Sequence, residues 1–147
     1  MNQEERTTSL LEELKAVDMK HGFTIYHANH VNDVHHKNFP DFFCAYLNQH
    51  PDLTVKEIIH NSELDENYAR QVINGTRHGS KYKIIAICIA AHMKIKEVQR
   101  ALKLSGNTPL YPKTDRDAAI IICINNECYN IVRINEFLNE RGLEILK

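Results

Sequence analysis

Nine histidines and four cysteines are the side chains of this sequence that could ligate a metal or act as nucleophiles. His27, His30, His35 and His36 cluster ahead of the first aromatic-rich segment, the first two in H-x-x-H spacing. Three or four imidazoles can hold Zn²⁺, but no Asp, Glu or Cys pattern completes a familiar site. Cys44, Cys88, Cys123 and Cys128 lie in or beside apolar helical patterns, the usual setting of small core thiols in a reducing compartment. Cys123 and Cys128 have four residues between them and lack the further ligands a zinc site needs. There is no phosphate-binding loop, nucleophile elbow, H-E-x-x-H or G-x-G-x-x-G. Neither catalysis, nor a metal, nor a cofactor is expected.

What remains is chemistry of charge. The formal net charge is −1, but it is unevenly laid out. Residues 1–67 carry −7, residues 68–103 carry +7 with Glu97 the one carboxylate, and residues 104–147 carry −1. A basic block of this kind is what a polyanion-binding face leaves in a sequence. A basic surface that merely packs on the acidic first third leaves the same trace. The opening "MNQEERTTS" is polar and acidic, unlike a secretory leader, and the apolar run "IIAICIAA" is far below the roughly 20 residues that span a bilayer. A cytoplasmic protein without a membrane partner is expected.

These charges must be positioned by helices, because no strand-period pattern is present. Ser9 and Glu12 form a capping box ahead of the stripe Leu10, Leu11, Leu14 and Val17, with a stop at Gly22. Phe39, Phe42, Phe43, Tyr46 and Leu47 repeat at helical spacing over about 39–49, with Pro40 in the tolerated first turn. Thr54 and Glu57 repeat the capping-box spacing and open a helix ending near Ser62. Asp65 caps a third helix, closed at Asn74-Gly75, with Ala69, Val72 and Ile73 inside. Ser80 caps a fourth through "KYKIIAICIAAH", apolar nearly all round and therefore the buried centre. A fifth runs from Ile95 to Leu104. The pattern Ile95, Val98, Leu102, Gly106 returns as Ile131, Ile134, Leu138, Gly142 at an offset of 36, each behind an apolar helix. An αα-hairpin thus occurs twice, and the second copy is expected to stack on the first. The division expected is 1–38 for an N-terminal helix and connector, 39–106 for the central domain, and 107–147 for a C-terminal hairpin.

The run "TVKEIIHNSELDENYARQVINGTR", the apolar helix after it and "MKIKEVQRALKL" resemble the XRE-type, lambda-repressor-like helix-turn-helix regulators. "NGTR", "EVQRALKLSGNTPLYPKTDRDAAII" and "NEFLNERGLEIL" are similar to a bacterial subgroup with a second C-terminal hairpin. The resemblance implies an all-α fold, a lambda-repressor-like helix-turn-helix bundle with an N-terminal helix and an appended αα-hairpin. It implies a DNA-binding transcription regulator whose partner is double-stranded DNA, assembled as a homodimer through the second hairpin. Carried over by position, Glu66, Asn67, Arg70 and Gln71 face the groove, where Arg suits guanine and Asn or Gln suits adenine. Asn74, Thr76 and Arg77 touch phosphates, the helix start at Thr54 binds another, and Lys81 and Lys83 extend the basic edge. This requires Arg70 to point outward, clear of the protein's own carboxylates.

The chain also departs from that pattern. Val55 stands where many members place glutamine, Glu63 where the turn has glycine, and Asp65 and Glu66 bring carboxylates to the tip. These features motivate the alternative, a protein-interaction module on the same scaffold, acting as an antitoxin-like partner or an inhibitor of a nucleic-acid-handling complex.

Overall fold

The computed structural model describes residues 36–147. The Ser9 capping box, the Gly22 stop and the histidines up to His35 lie outside the described residues. Seven helices and no strands make up the described part, an all-α bundle. They are α1 (Phe39–Gln49), α2 (Val55–Ser62), α3 (Glu66–Asn74), α4 (Lys81–Ala90), α5 (Ile95–Leu104), α6 (Asp115–Asn125) and α7 (Ile131–Glu140).

Local chemistry sets most of these boundaries. Asn38 caps α1 by accepting from the Asp41 N–H at 2.9 Å, Thr54 caps α2 from the Glu57 N–H at 3.2 Å, and Asp65 caps α3 from the Tyr68 N–H at 3.0 Å. Ser80 occupies the cap position of α4, yet its side chain makes no cap bond. Its N–H instead donates to the Tyr68 hydroxyl at 3.3 Å. The helix also stops at Ala90 rather than His92, because His92 adopts φ 60.

α4 is the buried centre. Every residue from Ile84 to Ala91 is essentially without exposed surface. It packs against α2, α5 and α7, while α1 lies on α3 and α5, and α6 lies on α5 and α7. Tyr46 of α1 reaches across to donate its buried hydroxyl to the Ala91 carbonyl, one of the carbonyls a helix end leaves without a partner. The second hairpin, α6–α7, contacts the first, α4–α5, with α7 against α4 and α6 against α5.

The repeat is more detailed than its apolar pattern. α4, α5, α6 and α7 all end in a Schellman terminator, with a left-handed residue at His92, Gly106, Glu127 and Gly142. The paired bonds run from Met93 to Cys88 and His92 to Ile89, and from Cys128 to Cys123 and Glu127 to Ile124, in the two leading helices. In the trailing helices they run from Asn107 to Leu102 and Gly106 to Lys103, and from Leu143 to Leu138 and Gly142 to Asn139. The second hairpin has one extra residue in its turn, so its first helix repeats at an offset of 35 and only its second helix at 36. No helix among the described residues is long and apolar enough to cross a membrane.

Candidate nucleic-acid interface

The three-residue link Glu63-Leu64-Asp65 joins α2 to α3. Glu63 takes the left-handed conformation, φ 61, at the place where glycine is easiest. Asp65 caps one end of α3 and Gly75, at φ 86, closes the other. A side chain at Gly75 would also crowd Pro40, whose Cγ lies 3.1 Å from the position a Cβ would take. Ala69 and Val72 are buried, which turns the opposite face of α3 to solvent. That face presents Glu66, Asn67 and Arg70, with Gln71 half-buried at its margin.

Arg70 points outward as required, but it is not clear of the protein's own carboxylates. Its Nε and Nη2 donate to Glu66 Oε1 at 3.2 and 3.1 Å. One turn of helix separates the two side chains, the spacing at which opposite charges meet. Both are exposed, so the pair is worth only about 0.3–0.5 kcal/mol, and a competing anion can displace it.

The residues after α3 divide into two groups. Asn74 and Thr76 are exposed, and the Asn74 side-chain oxygen accepts from both the N–H and the hydroxyl of Thr76. Arg77 and Lys83 flank the ring of half-buried Tyr68, with Arg77 Cζ 5.5 Å and Lys83 Nζ 4.2 Å from its centroid. They form a compact cationic edge beside the open face of α3. Thr54 is exposed, with its hydroxyl spent on the cap of α2.

Lys81 is a correction to the expected phosphate set. Its ammonium turns inward and donates to Asp117 Oδ2 at 2.9 Å, to the Pro109 carbonyl at 3.1 Å and to the Thr108 hydroxyl at 3.2 Å. An ammonium has three donors, and these partners use all of them. The physical reason is Asp117, a carboxylate with 2% of its side-chain surface exposed, which needs a cation where α6 meets α4. Asp117 also accepts from the Tyr82 hydroxyl at 2.8 Å and the Tyr111 N–H at 2.9 Å. Burial alone would raise its pKa, but the bonds from Lys81, Tyr111 and Tyr82 outweigh that and hold it below the usual carboxylate range.

Two amide side chains with structural work also escaped the sequence reading. Gln99 clasps the backbone of Leu110, accepting from its N–H at 2.7 Å and donating to its carbonyl at 3.0 Å. Asn135 clasps Leu146 the same way, at 2.7 and 3.3 Å. The signal was present, since both residues of the second pair lie 36 positions beyond the first.

Among the described residues no group of three or more His, Cys, Asp or Glu side chains is placed to hold a metal. His36, the described member of the histidine cluster, meets Phe42 edge-on at 5.9 Å. Compared with protein-family models, with curated proteins and with solved structures, the chain matches none.

Proposed function

We propose that the protein is a DNA-binding transcription regulator of XRE type that lays α3 in the major groove. The observation that carries this reading is the open face of α3: Asn67, Arg70 and Gln71 on a helix capped at both ends, bordered by Arg77 and Lys83. Arg70 leaves Glu66 for a guanine, Asn67 and Gln71 suit adenine, and the cations at Tyr68 meet phosphate. The α2–turn–α3 connectivity supports the same reading.

With Lys81 withdrawn, three cations remain at this face. If Arg70, Arg77 and Lys83 each displace a counterion, log K falls with log salt at a slope of about −2.7. The test is a gel-shift series over salt with DNA from the protein's own upstream region. Arg70→Ala should weaken specific binding by about 1–3 kcal/mol and relax the sequence preference. Arg77→Ala should weaken all sequences alike and make the slope shallower by about 0.9. Binding that ignores both substitutions ends this reading.

A second reading rests on its own observation. Glu66 and Asp65 stand exposed at the leading end of α3, and Glu66 already occupies Arg70. Such a tip suits a basic protein surface, as in an antitoxin-like partner or an inhibitor of a nucleic-acid-handling complex. A protein that neither binds heparin nor shifts DNA supports this alternative over the first.

A further inference from the structure

The terminators of α4 and α6 are built alike, but their two contacting positions differ in chemistry. At this kind of helix end the side chains three residues before the cap and two after it pack on each other. In the first hairpin those positions hold Cys88 and Met93, both fully buried. In the second they hold Cys123 and Cys128. The Cys128 N–H donates to the Cys123 carbonyl at 3.0 Å. Adding the covalent lengths at either end of that bond leaves the two Cα atoms no more than about 7 Å apart, the outer limit for a disulfide, and the side-chain contact of this kind of terminator turns the two Cβ atoms toward each other. Cys123 is 6% exposed, whereas Cys128 is half-buried at the rim of the core. Burial pushes the Cys123 thiol up, and negative charge on Cys128 adds to the effect while Arg141 opposes it, so the two thiols act on each other as neighbours.

We propose that Cys123 and Cys128 are a reversible disulfide site spanning the α6 terminator, oxidised by low-molecular-weight disulfides. The accessible member is Cys128. Its thiolate attacks one sulfur of glutathione disulfide, forming a Cys128–glutathione bond and releasing one glutathione thiolate. The Cys123 thiolate then attacks the Cys128 sulfur, forming the internal bond and releasing the second glutathione. Two protein thiols are oxidised and one external disulfide is reduced to two thiols. The new bond closes across Glu127, the left-handed residue of the turn. Next to it Tyr129 stacks on His92 of the first hairpin at 4.6 Å, so the oxidised turn is pinned where the hairpins meet.

The test uses the full chain carrying Cys44→Ser, because Cys44 is exposed and would react on its own. The reduced protein is equilibrated with glutathione and glutathione disulfide over a range of ratios, alkylated and digested with trypsin. Both cysteines fall in the single tryptic peptide 117–133. The expected result is that peptide lighter by two hydrogens and unalkylated, restored by dithiothreitol. Cys123→Ala should accumulate glutathione on Cys128 at least tenfold above the parent, for want of a resolving thiol. Cys128→Met copies the first hairpin and should show neither cross-link nor adduct in that peptide, with unchanged helical circular dichroism. Two alkylated thiols at every ratio would overturn the proposal, as would equal adduct in the parent and in Cys123→Ala.

Discussion

Asp117 shows how one carboxylate redirects a surface cation. A charge this deeply buried survives only with partners, and it has an ammonium, a phenol and a backbone N–H. Asp117→Ala should therefore destabilise the fold by about 3 kcal/mol, read as a shift in the urea midpoint at pH 7. A cycle with Lys81→Ala should return a coupling of at least about 1 kcal/mol, since the two touch. The pH dependence has a definite sign. The folded pKa of Asp117 is depressed, so its stabilisation is present above the unfolded value of about 3.9 and fades as pH falls through that value toward the folded one. Asp117→Asn should flatten the acid limb of a stability–pH curve below about pH 4. An acid limb identical to that of the parent would show that Asp117 carries no such linkage.

At the level of elements, backbone strain is placed where one residue must turn left-handed. Glu63 and Glu127 adopt φ 61 and 57, whereas Gly75 adopts φ 86 without a Cβ penalty. Glu63→Gly should raise stability by about 0.5–1 kcal/mol, the relieved strain less the added freedom of the unfolded chain. Gly75→Ala should lower it by about 1–2 kcal/mol, with the contact to Pro40 adding to the loss. Thermal midpoints moving in these opposite directions are the check. These elements also show what the sequence made legible. The extent of α1 follows from its aromatic spacing and Pro40, the boundaries of α3 from Asp65 and Gly75, and burial of α4 from its uniform apolarity. The end of α4 was misjudged because His92 gives no local sign that it turns left-handed. Lys81 was misjudged because its partner is 36 residues away, and periodicity does not reveal pairing over that distance. Arg70 does point outward, and its pairing with Glu66 one turn away is the i,i+4 contact that helical spacing makes legible.

For the whole molecule, the duplicated hairpin sets a comparison between matched positions. Ile87 of α4 is fully buried, while its counterpart Ile122 of α6 is 53% exposed. Lys96 of α5 is exposed and charged, yet the matching Val132 of α7 is 50% exposed and apolar. The second hairpin therefore shows solvent two branched apolar side chains where the first has a covered isoleucine and a lysine. If the protein is a homodimer held by this hairpin, a second copy of the chain covers those residues. Ile122→Glu with Val132→Lys should then raise the dimer dissociation constant more than about tenfold, a loss of at least about 1.4 kcal/mol. Surface substitutions of this kind should change the stability of the monomer by no more than about 0.5 kcal/mol. Sedimentation at several concentrations separates the two effects. If α3 reads DNA as proposed, the same variant also links the hairpin to α3, because two such helices engage half-sites about 34 Å apart only when the dimer holds. It should lose cooperative binding to a two-half-site operator while keeping weak binding to a single half-site. A parent protein that sediments as a monomer at micromolar concentration would remove the dimer and leave α3 to act alone.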